Sequence, residues 1–255
     1  MSSLDSNKLF NNNVSEKQFN GYYVPAHNAK VIKESIQNGT APFLPDQSGN
    51  VKTSPIYNGN TGYCLNAKDL IPMQIGQGNS TNIAVTYKTI NAAGTRVKEG
   101  EKGFFYNYEK DKETHAIGTS QFFFPEQTIN PELVVKAVET KVKKNEYHLN
   151  KTIEILSSEP EEYLGNYVAA CRSGATLKVN PEIAKAFTEK FIPLLDNQLA
   201  KSADRNENID KLNNLMFKID TKANEVNKEL FAELKRENQP VQNQGKKKEQ
   251  EMGRS

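Results

Sequence analysis

The chain has 255 residues, which is enough for one domain, or two modest ones, with a real core. Apolar residues make up 36%, and the net charge is only +2, so a surface that binds nucleic acid must be a local patch. There is no run of about 18 apolar residues, and the N-terminus lacks the features of a secretory signal. Cys64 and Cys171 lie far apart, and two thiols in a reducing cytosol are a simpler interpretation than a disulfide. We therefore expect a soluble, cytoplasmic protein without a membrane partner.

The first half of the chain is predicted to be an α+β unit with many turns. Ala29, Ile32 and Ile36 share one helical face, and Gly39 follows as a stop signal. Thr86 offers an N-cap, and Gly94 ends the short helix after it. The predicted elements are a flexible arm at 1–20, helices at 25–37, 66–71 (ending before Pro72) and 86–93, a short strand at 54–57, and loops at 76–82 and 96–103.

A β-hairpin with an aromatic face is predicted next. Phe104, Tyr106 and Tyr108 alternate along a strand at 104–108, so they share one face. A charged turn at 109–113 and a partner strand at 114–124 complete the antiparallel hairpin.

The second half is predicted to be helical. Its helices fall at 131–144, 151–157, 161–172, 181–200 and 209–235, and a Gln-rich charged tail follows. The predicted fold class is therefore α+β: a small antiparallel sheet with flanking helices, followed by an all-helical C-terminal region and a disordered tail. The predicted units are an α+β domain at 21–145, a helical region at 146–235 and the tail at 236–255.

Catalytic signatures are absent from the sequence. None of the H-E-x-x-H, G-x-S-x-G, G-x-x-x-x-G-K-[ST] and G-x-G-x-x-G motifs occurs. His27, His115 and His148 have no Cys or His neighbour at metal-ligand spacing. We therefore expect no enzyme activity, no catalytic residues, no metal and no cofactor.

Residues 86–108 combine cations with aromatic rings. Single-strand binding needs cations along the phosphates and flat rings under the bases, where stacking contributes roughly 1–3 kcal/mol per base. Glu99 and Glu101 dilute the charge, so composition alone favours an ordinary hairpin face with surface lysines. The turn at 57–63 also allows two interpretations, because Tyr57 and Tyr63 could stack on bases or pack in the fold. The candidate residues within 86–108 are Thr86, Tyr87, Lys88, Arg96, Lys98, Lys102 and Tyr106.

An ordered series of motifs favours the binding hypothesis. The series is IQNGTAPF at 36–43, PIYNGNTGY at 55–63 with Asn66 and Leu70 after it, TYK at 86–88, and AGTRVKEGEKG at 93–103. This series resembles the N-terminal domain of ArdC-type antirestriction proteins, which is also found at the front of TraC-type plasmid primases. The resemblance covers about residues 25–130, and a weaker likeness extends to 161–187.

The resemblance implies a non-enzymatic protein of a plasmid or mobile element that binds single-stranded DNA largely without sequence preference. It further implies a role in antirestriction or conjugation. Three departures from the family pattern are Phe43 in place of Trp, Thr89 in place of Gln, and a shortened segment at 63–66. No zinc-binding motif follows, so we expect neither the metallopeptidase domain nor any protease or primase activity. By resemblance, the candidate DNA contacts are Tyr57, Asn58, Tyr63, Asn66, Thr86, Lys88, Arg96, Lys98 and Lys102.

The alternative is a protein-interaction or adaptor module of a conjugation or defence-evasion system that has lost DNA binding. Its C-terminal helices would then recruit a partner or self-associate. Leu212, Ile219 and Val226 form one apolar seven-residue series. A coiled coil needs a second apolar series, but the one that starts at Leu215 continues with Lys222 and Glu229. This pattern favours a helix docked on its own domain over a stable coiled coil.

Overall fold

A computed structural model of the protein describes residues 23–76, 81–111, 113, 116–199 and 205–237. The predicted arm at 1–20 and residues 238–255 of the predicted tail lie outside these ranges. In chain order the elements are α1 (Tyr23–Gln37), β1 (Asn50–Val51), β2 (Tyr57–Asn58), α2 (Ala67–Gly76), β3 (Ile83–Thr86), α3 (Tyr87–Ala92), β4 (Phe104–Asp111), β5 (Ala116–Phe123), a 3-10 turn (Pro125–Gln127), α4 (Pro131–Asn145), β6 (Thr152–Ile155), α5 (Pro160–Ser173), β7 (Thr176–Val179), α6 (Pro181–Leu199) and α7 (Arg205–Glu237).

The predicted aromatic hairpin is confirmed and forms half of a four-stranded sheet. The strand order is β2-β3-β5-β4, with β2 and β3 parallel and the other pairs antiparallel. Tyr108 lies opposite Gly118, where a Cβ would stand 2.5 Å from the tyrosine ring, so the missing side chain makes room for that ring. Residues 109–111 continue β4, so the predicted turn at 109–113 begins later than expected.

The two faces of this sheet contact different cores. Phe122 and Phe123 are neighbours in β5 and therefore point to opposite faces. Phe122 belongs to the larger core, while Phe123 joins Tyr57 and Val138 in a smaller one beneath α4. The sheet therefore separates two apolar layers, and its outer strand β4 is left at the edge.

A second sheet joins β1 of the N-terminal half to two strands of the C-terminal region, in the order β1-β7-β6. The predicted helix at 151–157 is wrong, because Ile153 and Ile155 are buried while Thr152 and Glu154 are exposed. That period of two, with β-branched residues at the buried positions, belongs to a strand. β1 pairs antiparallel with β7, so residues on both sides of the predicted boundary share one sheet and the larger core. The α+β class is confirmed, and two short strands accompany the C-terminal helices.

The helix α2 continues past Pro72, which corrects its predicted end. A proline leaves the carbonyl four residues earlier without its helical donor. Here that carbonyl belongs to Lys68 and accepts a hydrogen bond from the Asn28 side-chain amide (3.5 Å). Ile71 and Met73 are buried, so packing holds the helix together across the proline.

The long helix α7 is docked on its own chain, as its pattern predicts. Leu212, Met216, Ile219 and Ala223 are buried in the larger core. A Cβ on Gly165 of α5 would stand 2.6 Å from Cγ of Lys222, so glycine permits this close approach. No helix among the described residues is long and apolar enough to cross a membrane.

Candidate nucleic-acid interface

An open groove of about 340 Å³ lies where four parts of the chain meet. These parts are β4, the turn after β2, the first turn of α2 and the last turn of α5. We name it the tyrosine groove and define it by Asn58, Asn66, Asp69, Tyr106, Tyr108 and Arg172. Three residues that the sequence singles out for DNA binding, Asn58, Asn66 and Tyr106, are thus brought together.

Two tyrosines of β4 form one wall of the groove. Tyr106 stacks on Phe122 with a centroid distance of 4.1 Å and an interplanar angle of 19°, which fixes its ring. Tyr108 lies 6.2 Å further along the strand and is 43% exposed. Neither hydroxyl makes a hydrogen bond within the described ranges. Because their alternation on β4 puts both rings on one side, they offer a rigid surface to a planar group.

Two asparagines supply amide groups at the rim. Asn66 precedes α2, and its carbonyl accepts hydrogen bonds from the amides of Asp69 (3.1 Å) and Leu70 (2.8 Å). Its exposed side-chain amide has no partner in the described part of the chain. The side-chain oxygen of Asn58 accepts a hydrogen bond from the amide of Asn60 (2.9 Å), which shapes the turn. Asn66 can therefore both donate to and accept from a ligand.

The two cations of the groove are held by the protein itself. The Lys68 amine donates to the Asn107 carbonyl (2.7 Å). Arg172 is largely buried and pairs with Asp220 of α7. The Asp220 carboxylate also accepts a hydrogen bond from the Ala67 amide (3.0 Å) and so caps α2. Asp220 therefore fixes two walls of the groove at once.

Asp69 is unusual because its carboxylate is largely buried and has a raised pKa. It is only 9% exposed, and its carboxylate accepts no hydrogen bond from the described residues. Its pKa is raised to about 7, chiefly by burial, while Lys68 opposes the shift and the nearby Asp220 adds to it. The sequence gives no signal of this, because an Asp in the first turn of a helix normally sits in solvent near the helix dipole. Arg172 was missed as well, since it looks like a basic residue at an ordinary helix end.

A second group of predicted residues adjoins the turn at 58–62 but does not line the groove. The Asn60 side chain donates to the Thr86 hydroxyl (3.3 Å) and accepts from the Thr89 hydroxyl. α3 begins after Thr86, but the Thr86 hydroxyl contacts Thr89 (3.1 Å) and caps no backbone amide. Tyr87 is half-exposed with its ring 6.3 Å from Phe123, and Lys88 is exposed.

The predicted cations lie on a separate, well-anchored loop. The Lys98 amide donates to the Gln127 carbonyl (2.8 Å), and its side-chain amine donates to the Glu126 carbonyl (2.8 Å). The Gln127 side chain in turn donates to the Lys102 carbonyl (2.9 Å). Arg96, Lys98 and Lys102 are exposed, but none is among the described residues that line the tyrosine groove. Their closeness to the tyrosines in sequence is therefore not closeness within one pocket.

Tyr57 corrects one prediction about the turn at 57–63. Its side chain is only 2% exposed and packs in the smaller core, so its ring cannot stack on a base. Burial also raises the pKa of Tyr57. Gly62 has a φ of +81°, and a Cβ there would stand 2.4 Å from the Lys141 carbonyl oxygen, so the turn needs glycine to lie against α4. Tyr63 is 65% exposed and stays a candidate contact outside the groove lining.

Metal ligands do not cluster in the part of the chain that the structure describes. No group of three or more His, Cys, Asp or Glu side chains there could hold a metal ion. His115 lies outside the described residues. Cys64 and Cys171 are free thiols, and burial raises the pKa of each, which makes both poor nucleophiles.

No protein-family description matches the chain, and neither does any curated protein. Two solved structures of the antirestriction protein ArdC from the R388 plasmid are similar in structure. The metal-free crystal structure has 12% identity and a TM-score of 0.44, with 79% of this chain and 98% of that one covered. The Mn(II)-bound structure has 11% identity and a TM-score of 0.45, with 80% and 98% covered.

Proposed function

We propose that this protein binds single-stranded DNA, without catalysis and largely without sequence preference, for a plasmid or other mobile element. The observation that carries the proposal is the tyrosine groove, where a rigid aromatic wall lies beside the side-chain amides of Asn58 and Asn66. Unstacked bases are bound in this way, because rings stack on them and amides satisfy their edges. A duplex does not offer its bases so freely, so single strands are the expected ligand.

We assign the bases and the phosphates to different surfaces, because the exposed cations lie outside the groove. Lys88, Arg96, Lys98 and Lys102 are exposed on α3 and on the loop before β4. Exposed cations can follow the phosphates of a strand and release counterions when they bind it. The groove would hold bases, and these cations would hold the backbone that enters and leaves it.

The biological role is proposed from the ordered motif series at 36–103, which resembles ArdC-type antirestriction proteins. Single-stranded DNA arises when a plasmid enters a cell as one strand, and a protein that covers it could protect or accompany it. Antirestriction or conjugation is therefore the proposed context. The adaptor alternative loses its main surface, because Leu212 and Ile219 of the apolar stripe are buried within this chain.

A titration of fluorescently labelled oligo-dT, followed by anisotropy, tests the binding. We expect saturable binding at micromolar protein or below, weaker binding to a duplex of equal length, and a steep loss of affinity with salt. Each phosphate contact contributes about 0.7 to the slope of log K against log salt for a single strand. No salt-sensitive binding at micromolar protein would overturn the proposal.

A pair of tyrosine variants tests whether the groove is the binding surface. Tyr106→Leu keeps an apolar contact with Phe122 but removes the stacking ring, so we expect a loss of about tenfold in affinity for oligo-dT. Tyr147→Leu is the matched control, because Tyr147 is 45% exposed but packs on Phe231 outside the groove lining. Equal effects of both variants would remove the groove from the interface.

A further inference from the structure

An unpartnered acceptor lies in the tyrosine groove beside the aromatic wall. Asp69 is about nine-tenths buried as a residue, and its carboxylate accepts no hydrogen bond from the described residues. Buried polar groups are almost always hydrogen-bonded, so an exception calls for an explanation, and a bound ligand is one. A ligand that enters this groove therefore meets an acceptor that the protein leaves unsatisfied.

The charges of the groove are balanced, which argues against a phosphate as its guest. When Asp69 is ionised, Lys68 and Arg172 contribute two positive charges, and Asp69 and the adjoining Asp220 contribute two negative ones. The amine of Lys68 and the guanidinium of Arg172 already donate hydrogen bonds to Asn107 and Asp220. A phosphate would face the Asp69 carboxylate and gain little from cations that are already engaged. A neutral ring that carries N–H donors suits the groove better.

The shape of the groove narrows the choice among such rings. A volume of about 340 Å³ is near the lower end for ligand sites and suits one base with its sugar. A carboxylate has two oxygens and binds best to two parallel N–H donors. The pairing edge of guanine presents two adjacent donors, N1–H and N2–H. Adenine and cytosine present one amino group there, and the single N–H of thymine lies between two carbonyl oxygens that the carboxylate would repel.

We propose that the tyrosine groove selects a single guanine base from the bound strand, with Asp69 accepting its N1–H and N2–H groups and Tyr106 and Tyr108 holding its ring. The proposal rests on the single-stranded DNA binding put forward above and adds one base-reading position to it. The Asn66 amide at the rim can donate to the O6 carbonyl of the same guanine. Contacts outside the groove do not depend on base identity, so the strand needs only one guanine and no longer sequence motif.

Three oligonucleotides and the full chain test this at pH 8, where the Asp69 carboxyl is mostly ionised because its pKa is about 7. The first is oligo-dT, the second carries one central dG, and the third carries deoxyinosine there, which lacks only the 2-amino group. We expect the dG strand to bind about tenfold more tightly than oligo-dT, as one bidentate contact allows, and inosine to lose most of that preference.

The variant Asp69→Asn should make the three strands bind with nearly equal affinity, because its amide cannot accept both donors. Glu154→Gln is the control: it removes an exposed carboxylate on β6, outside the groove lining, and should keep the preference. If no strand binds, the proposed function fails together with this inference. If all three bind equally to the unaltered protein, DNA binding stands and the guanine site is overturned. The guanine site is also overturned if Asp69→Asn keeps the preference for the dG strand.

Discussion

The variant Asp69→Asn should change how the stability of the protein depends on pH. Burial raises the pKa of Asp69 from 3.8 to about 7 in the folded state, so the native protein binds this proton more tightly than the unfolded chain does. Stability contributed by this group is therefore greatest at low pH, falls as the pH rises from about 4 to about 7, and then levels off. A shift of about three pH units corresponds to about 4 kcal/mol, which is the upper limit of the effect.

Asparagine has no charge to desolvate, so the variant should not show this loss. We expect the difference in unfolding free energy between Asp69→Asn and the unaltered protein to favour the variant increasingly between pH 4 and pH 8, by up to about 4 kcal/mol. Because the chain has no tryptophan, urea unfolding should be followed by far-ultraviolet circular dichroism. All other titrating groups are common to both proteins and largely cancel in the difference.

Asp46 provides a control of opposite sign. Hydrogen bonds from the Asn50 backbone, chiefly, and from the Ser48 backbone hold the pKa of its exposed carboxyl below the usual value. Asp46 therefore stabilises the fold above its unfolded pKa and loses that contribution as the pH falls. Asp46→Asn should be most destabilising near neutral pH.

If the difference for Asp69→Asn is the same at every pH, the carboxyl is not desolvated and the argument from burial is wrong.

Two further predictions concern the loop before β4 and the turn after β2. The double variant Lys98→Glu with Lys102→Glu should weaken binding to all single strands alike, by about tenfold or more, and lower the salt slope by about 1.4, which anisotropy titrations measure. Gly62→Ala should destabilise the fold by roughly 2 kcal/mol, measured by urea unfolding, because it combines a left-handed φ with a Cβ that would stand 2.4 Å from the Lys141 carbonyl oxygen.

Both predictions have matched controls within the chain. Lys178→Glu with Lys185→Glu makes the same charge change on exposed lysines of β7 and α6, outside the groove lining, and should leave the salt slope nearly unchanged. An equal fall in both double variants would point to net charge instead of a contact. Gly39→Ala has a similar φ of +66° but open space around its Cβ, so it should cost only the backbone strain of roughly 1 kcal/mol. Equal losses at the two glycines would mean that the contact with α4 contributes nothing.

Local pattern was sufficient for much of the fold. The alternation of Phe104, Tyr106 and Tyr108 predicted a strand with an aromatic face, and the stripe that includes Leu212 and Ile219 predicted a helix docked on its own chain. These features depend on periodicities of two and 3.6 residues, which a sequence displays directly. The failures at 151–157 and at Pro72 arose where distant contacts decided the outcome: pairing with β7 in the first case, and the Asn28 amide together with packing in the second.

The sequence by itself determined the periodicities of the fold and predicted candidates for binding a single strand, among them Asn58, Asn66 and Tyr106. Only the tertiary structure separated the exposed cations from the tyrosines, buried Tyr57, and brought Asp69 and Arg172 to the same groove. The physical reason is that burial and charge pairing depend on segments far apart in the chain: Arg172 reaches the groove from α5, and Asp220 holds it there from α7. No spacing within residues 57–108 could reveal those partners.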